Sequence, residues 1–177
     1  DTHRVSGEYH NRIAMLPVQN GAPPIPRPGV GVLPGQVDIV GDGASTRVSF
    51  DGQTASNPVS ITGSGLREVR AGVLIGDRLL HTTTGGQLRT GAYTDGALTD
   101  IEVIDTRGLI PTYFDALKVR GLAFDDARSR IYYVKDDDPA LYYRGHSPTT
   151  GFIDGREIVA SPAGFGTNPS GLMLVGD

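Results

Sequence analysis

The chain has 177 residues, of which 38% are hydrophobic, and its formal net charge is −4 at pH 7. This length suits one domain with a sizeable core. The absence of a basic run argues against nucleic-acid binding, and no apolar run is long enough to insert into a membrane. The chain has no cysteine, which excludes disulfides and thiolate metal sites.

Turn-forming residues are abundant, since the chain contains 25 glycines and 12 prolines. Frequent turns predict many short strands rather than a few long elements. Short apolar strands begin with a glycine at Gly31, Gly72, Gly121 and Gly171. These glycines lie roughly forty to fifty residues apart, which is the period of a four-stranded propeller blade.

The same order of elements follows each of the first three glycines: a tight turn, a second strand, a polar turn, a third strand near an arginine, and a fourth strand. Hairpins joined by Gly-Asp or Gly-Gly favour antiparallel pairing. The sequence therefore predicts an all-β, β-propeller-type array of four-stranded antiparallel blades in a single domain, 1–177. The predicted full units are 29–62, 70–104 and 119–160, and the partial units are 1–17 and 168–177.

The N-terminal partial unit is predicted to end in a fourth strand at Arg12–Leu16, and the first full unit to begin with a strand at Gly31–Leu33. Three full units with partial ends do not form a complete ring. We therefore expect a piece of a longer propeller, or an array that a partner completes, because open strand edges favour pairing with another chain.

The third unit carries a resemblance to known proteins. Its segments Val119–Phe124, Arg130–Tyr133, Leu141–Arg144 and Ser147–Gly151 resemble a repeat of actinobacterial secreted proteins and of minor tail proteins of their phages. The resemblance implies a propeller-like surface or virion module that is extracellular or part of a phage tail. Its implied partners are other protein subunits of an assembly.

Two tyrosine pairs dominate the third unit. Tyr132 with Tyr133, and Tyr142 with Tyr143, lie on neighbouring predicted strands, where adjacent residues point to opposite faces. One interpretation is packing and cross-strand ring pairing. The other is a patch that stacks on a sugar or contacts a protein. The candidate ligand-binding residues are Tyr132, Tyr133, Tyr142, Tyr143, Arg144 and His146.

Arginines recur at matched places in the units, and recurrence within one chain favours an architectural role such as bracing neighbouring blades. Arg4, Arg47, Arg89 and Arg144 lie near the third strands, and Arg70 and Arg120 precede the first-strand glycines.

The remaining polar clusters do not form a known catalytic or metal-binding motif. Asp136–Asp138 lies in a predicted turn and could bind Ca²⁺, but the spacing of a calcium loop is absent and Pro139 follows directly. We interpret it as a solvated acidic turn. The histidines are scattered at His3, His10, His81 and His146. The sequence therefore predicts no metal, no cofactor and no enzymatic activity.

Three functions fit these observations. The favoured hypothesis is a non-enzymatic structural or interaction module of a surface or phage-tail assembly. The alternative is a carbohydrate-binding propeller that contacts cell-surface glycan, which predicts similar pockets between blades lined by tyrosine. An enzyme with its site at the propeller axis is the third hypothesis, and the scattered histidines make it the weakest.

Overall fold

The computed structural model describes residues 14–17, 35–40, 45–50, 54–62, 65–164, 169 and 171–172. These residues form antiparallel strands and one short 3-10 turn at Leu66–Glu68, which confirms the all-β prediction. None of the helices in this part of the chain has the length and apolar character to cross a membrane. The strands are β1 (Ala14–Pro17), β2 (Gly35–Val40), β3 (Ser45–Phe50), β4 (Ala55–Ile61), β5 (Val69–Ile75), β6 (Arg78–Thr83), β7 (Leu88–Thr94), β8 (Ala97–Ile104), β9 (Val119–Asp125), β10 (Arg130–Lys135), β11 (Asp138–Ser147), β12 (Phe152–Ile153) and β13 (Ile158–Ser161).

The strands form three antiparallel sheets in chain order. The first sheet has the order β1-β2-β3-β4, and the second has the order β5-β6-β7-β8. The third sheet contains β9, β10 and β11, and both β12 and β13 pair with β11. The second sheet is thus built from sequential hairpins with short connections between neighbouring strands.

The predicted turns of the second unit are confirmed. The hairpin between β7 and β8 turns at Asp95 and Gly96, whose φ angles are 49° and 81°. Two successive positive φ angles define the type I′ turn, which matches the twist of the flanking strands. Asp-Gly is among the residue pairs that this turn favours, so the sequence encodes the hairpin locally.

The first sheet corrects one prediction. Ala14–Pro17 is the first strand of this sheet, paired with Val37–Val40 of β2, and is not the fourth strand of a separate N-terminal unit. The expected first strand at Gly31–Leu33 lies outside the described residues. A short apolar run does not specify which strand edge it joins, so this long-range pairing could not be read from the local pattern.

The third sheet corrects the strand count, because it has five strands instead of four. Strand β11 spans ten residues, from Asp138 to Ser147. Residues 141–143 pair with β13, while His146 and Ser147 pair with the two-residue strand β12. The length of β11 therefore provides an edge for two short partners, and the sequence predicted only one of them.

The first strands of the sheets are neighbours in space. Strand β5 lies against both β1 and β9. Gly171, at the start of the next predicted first strand, also reaches this row, since a Cβ atom placed on Gly121 of β9 would be 2.6 Å from the carbonyl carbon of Gly171. A glycine at position 121 is therefore required by this close approach of two backbones.

Two apolar clusters hold the sheets together. One cluster joins the second and third sheets, and the other joins the second sheet to Ile61 of the first. Burying a Leu, Ile or Phe side chain contributes roughly 1.5–3 kcal/mol, so these contacts dominate the packing. The buried members of the first cluster are Ala71, Leu80, Leu88, Ile104, Phe114, Ala116, Val119, Leu122, Ile131, Tyr133 and Ile153.

Candidate functional site

The four tyrosines of the third sheet form two cross-strand pairs. Tyr133 is opposite Tyr142, with ring centroids 5.9 Å apart, and Tyr132 is opposite Tyr143, with centroids 5.5 Å apart. The predicted alternation is confirmed, because Tyr133 belongs to the core shared with the second sheet while Tyr132 lies on the other face. The guanidinium of Arg130 lies 4.4 Å from the ring centre of Tyr143, so one face of that ring is already covered.

Tyr133 is the centre of a buried polar network. Its hydroxyl donates to a carboxylate oxygen of Glu157 at 2.5 Å and accepts from Nε of Arg144 at 2.8 Å. The edge of its ring meets Phe114, with centroids 5.3 Å apart. Burial and the Glu157 carboxylate raise the pKa of the Tyr133 hydroxyl far above its ordinary value, so the group stays protonated as a fixed donor.

Arg144 is completely buried and ties two loops together. Its Nη1 donates to the carbonyl oxygens of Asp154 and Gly155, both at 2.9 Å. Its Nη2 donates to the carbonyl oxygens of Thr112 and Tyr113, at 2.9 and 3.2 Å. A guanidinium presents five donors in a rigid fork, and here it fixes the connector before β9 against the loop after β12.

The two loops also contact each other directly. The amide of Thr112 donates to the carbonyl oxygen of Gly155 at 3.2 Å. A Cβ atom placed on Gly155 would be only 2.1 Å from the carbonyl oxygen of Ile110. Only glycine fits at this position without displacing the connector. The loops are therefore held by backbone contact as well as by Arg144.

These immobilised loops and the adjoining strand β12 display large apolar side chains to solvent. The exposed fractions are 83% for Ile110, 57% for Tyr113 and 60% for Phe152. We call Ile110, Tyr113 and Phe152 the anchored loop surface. Loops that a rigid scaffold positions are common sites of recognition, and exposed aromatic and aliphatic side chains are common anchors in protein interfaces. None of these three residues was predicted from the sequence, because nothing in the local pattern distinguishes them from an ordinary connector.

His146 holds the backbone of Phe152 in place. Its buried ring donates from Nδ1 to the carbonyl oxygen of Phe152 at 2.8 Å, and its edge meets Phe124 at a centroid distance of 6.0 Å. Burial lowers the pKa of His146, and the carbonyl contact opposes this effect. The ring is therefore neutral near pH 7, with its proton on Nδ1.

The predicted ligand-binding residues are thus brought together, but they differ in exposure. Tyr133, Arg144 and His146 are buried, whereas Tyr132, Tyr142 and Tyr143 are partly exposed. Direct ligand contact by these six residues stays a prediction. The geometry shows that Arg144 and His146 position the backbone beneath the anchored loop surface.

Two of the clefts in the described part of the molecule lie between sheets, and they have different linings. One cleft, of about 360 Å³, lies between the first and second sheets and is lined by Arg47, Val59, Ser60, Ile61, Thr62 and Asp95. The other is a narrow cavity between the second and third sheets, lined by Ile75, Arg78, Leu80, Thr90, Ile104, His146, Pro148 and Gly151. Neither lining includes a tyrosine, so these clefts do not provide the repeated tyrosine pockets that the carbohydrate-binding hypothesis requires.

Arg47 braces the first sheet against the second. Its guanidinium forms two hydrogen bonds to the buried carboxylate of Asp38, at 2.7 and 2.8 Å. It also lies 3.5 Å from the carboxylate of Asp95, in the β7–β8 turn of the second sheet. The bracing role predicted for Arg47 is therefore confirmed, and Arg4 lies outside the described residues.

Asp136 braces the second sheet against the third. Its carboxylate pairs with Arg120 of the same sheet and lies 3.5 Å from Nη2 of Arg70 on β5. Arg70 thus has the predicted bracing role. Arg89 instead pairs with Glu68 of the 3-10 turn that precedes β5, at 2.6 Å.

The acidic turn is more structured than predicted. Asp136 is engaged by arginines, Asp137 has a positive φ of 56°, and Asp138 begins β11. The carboxylate of Asp138 accepts from the Tyr142 hydroxyl at 2.6 Å and from the Ala140 amide at 3.0 Å. The Tyr142 contact is the main reason that the pKa of Asp138 is lowered. Within the described ranges, no group of three or more acidic or histidine side chains is arranged to hold a metal ion.

Comparison with known proteins gives only weak structural likenesses. No family model matches the chain, and no curated protein matches it. A luciferin-regenerating enzyme is 13% identical with a TM-score of 0.41, over 76% of this chain and 45% of that chain. The Neurospora crassa Pan2 WD40 domain is 12% identical with a TM-score of 0.38, over 78% of this chain and 37% of that domain's chain. The present chain thus spans less than half the length of either structure.

Proposed function

We propose that this chain is a non-enzymatic interaction module, built from β-propeller-type sheets, that contacts a protein partner through the anchored loop surface. The partner is another subunit of a secreted or virion assembly. This context follows the resemblance of the third unit to actinobacterial secreted proteins and phage minor tail proteins.

The propeller-type architecture is supported by the row of first strands. Strand β5 lies between β1 and β9, and Gly171 lies beside Gly121. In a propeller, the innermost strands of successive blades are neighbours around the axis in this way. The short connections between sequential strands of the second sheet agree with it.

The observation that carries the proposed function is the rigidity of an exposed apolar surface. A partner that binds mobile loops must overcome the entropy of ordering them, which costs about 0.5–1.5 kcal/mol for each immobilised side chain. Here the backbone of Thr112, Tyr113, Asp154 and Gly155 is already fixed by Arg144. The surface is therefore preorganised for contact.

The polar groups beneath this surface support a structural role. Tyr133, Arg144 and Glu157 bond to one another or to backbone carbonyls. Groups held in this way maintain the surface, and their bonding capacity is not directed at a substrate.

The proposed function can be tested by co-purification from native extract, with recovered proteins identified by mass spectrometry. The test variant is Tyr113→Asp combined with Ile110→Asp, and the control is Val59→Asp, which changes a residue that is 60% exposed on β4. We expect the test variant to lose at least tenfold of a recovered partner that the control retains. Equal recovery with both variants would exclude this surface as the contact.

A further inference from the structure

Strand β12 is the shortest strand in the described part of the chain. It consists of Phe152 and Ile153, which pair with Ser147 and His146 of β11. So short a pairing contributes little stability by itself. The strand therefore depends on the burial of Ile153 in the core, on the hydrogen bond from His146 to the Phe152 carbonyl oxygen, and on the hydrogen bond from the Asp154 amide to the Gly145 carbonyl oxygen.

His146 lies where a positive charge is unfavourable because its ring is buried. Only 4% of the residue is exposed, and it lines the cavity between the second and third sheets together with Arg78. The charged groups on the elements packed around it are Arg78 of β6, which lies 3.6 Å from Glu102, Arg144 of β11, which lies 3.6 Å from Glu157, Asp125 of β9, which pairs with Arg128, and Asp154 after β12. Burial of the ring, and not these ion-paired side chains, disfavours its charged form.

We infer that protonation of His146 releases β12 and thereby dismantles the anchored loop surface, so that the surface is intact at neutral pH and lost in acid. A charged imidazole needs water or a counter-charge. The shortest strand pairing beside the ring is that of β12, which has only two residues. Its release moves Phe152 directly and also frees the loop at Asp154 and Gly155 that Arg144 holds.

The direction of the pH dependence follows from proton binding. Because burial lowers the pKa of His146 in the closed form, the open form binds a proton more readily. Acid therefore shifts the population toward the open form, and neutral pH favours the closed form. That this change controls partner binding rests on the proposed function, whereas the release of β12 does not.

Nuclear magnetic resonance tests this inference on the whole chain without a partner. The imidazole signals and backbone amide signals are followed from pH 7.5 to pH 4.5 in the wild type, in His146→Asn and in the control His81→Asn. We expect the amides of Phe152, Ile153, Thr112 and Tyr113 to shift or broaden with the same midpoint as the His146 ring. In His146→Asn, whose amide nitrogen can still donate to the Phe152 carbonyl, that response is lost, and in His81→Asn it remains.

The inference is overturned if the His146 ring titrates while the β12 amides do not change, or if they respond equally in His146→Asn. If that variant does not fold, the wild-type comparison decides, because the β12 amides must share the His146 midpoint and the β13 amides must not. If the wild type shows no pH response, the inference about β12 fails, and the co-purification result at pH 7.5 still tests the proposed function. If co-purification fails while the pH response of the β12 amides is intact, the proposed function is refuted and the release of β12 is not.

Discussion

Tyr93 and Asp38 belong to different sheets, and the hydroxyl of Tyr93 donates a hydrogen bond to the fully buried carboxylate of Asp38. Asp38 also receives both hydrogen bonds from Arg47. Burial is the main cause that raises the pKa of Tyr93, with the Asp38 contact second, so the hydroxyl remains a donor throughout the physiological range. This contact joins the first and second sheets by a specific polar bond beside their apolar cluster.

The variant Tyr93→Phe removes that donor and keeps the ring. We expect a loss of about 1 to 3 kcal/mol in the free energy of unfolding, because a buried carboxylate loses one of its partners. Urea denaturation measures the change. The control Tyr113→Phe alters a tyrosine that is 57% exposed and should stay within about 0.5 kcal/mol of the wild type. An equal loss of unfolding free energy in both variants would show that the Tyr93 hydroxyl does not stabilise the contact between the two sheets.

The variant Arg144→Met removes five hydrogen bonds from a buried position. We expect destabilisation by about 3 to 5 kcal/mol, since four carbonyl acceptors and the buried Tyr133 hydroxyl lose their donor. Hydrogen exchange should also increase in residues 110–113 and 152–155. The matched control is Arg156→Met, because Arg156 is exposed. Unchanged exchange in both loops would contradict the anchoring role.

His81 predicts a specific dependence of stability on pH. Burial lowers its pKa to about 4, whereas an unfolded histidine titrates at about 6.5. Between about pH 4 and pH 6.5 the unfolded state therefore binds more protons than the folded state. The contribution of the neutral His81 ring to the free energy of unfolding is fully present above about pH 6.5 and is lost as the pH falls to about 4. The expected loss is roughly 3 kcal/mol. Comparing the free energy of unfolding of wild type and His81→Asn at pH 7.5 and pH 4 measures it, and a constant difference would refute it.

Gly155→Ala tests the backbone contact between the two loops. The added methyl group would lie 2.1 Å from the Ile110 carbonyl oxygen, so the connector must move. We expect a loss of about 1 to 3 kcal/mol, as for other overpacked sites. Gly171→Ala is the control, because a Cβ atom there has no neighbour within 4 Å in the described structure. Equal thermal stability of the two variants would show that the loops are not in close contact.

The second sheet was predictable because its information is local. Gly76-Asp77 and Asp95-Gly96 encode their hairpins directly, and the apolar runs between them specify the strands. The first sheet was not, because the pairing of β1 with β2 is long-range. Strand β12 was missed because two residues carry no periodic signal.

In the candidate site too, the local features were predictable from the sequence and the long-range contacts were not. The tyrosine pairs follow from strand alternation and were predicted from the sequence. The partners of Arg144 in the connector, Thr112 and Tyr113, are separated from it by 32 and 31 residues and are bound through their carbonyls. Backbone carbonyls have no sequence signature, so the anchored loop surface emerged only from the three-dimensional arrangement.

The central claim is that the chain contacts its partner through the anchored loop surface. Site-specific photo-crosslinking tests it most directly, with a photoreactive phenylalanine placed at position 110 in one protein and at position 59 in another. Both positions are highly exposed and lie on different sheets or connectors. We expect a discrete crosslinked protein from position 110 and none from position 59. A crosslink from position 59 alone, or equal products from both positions, would contradict it.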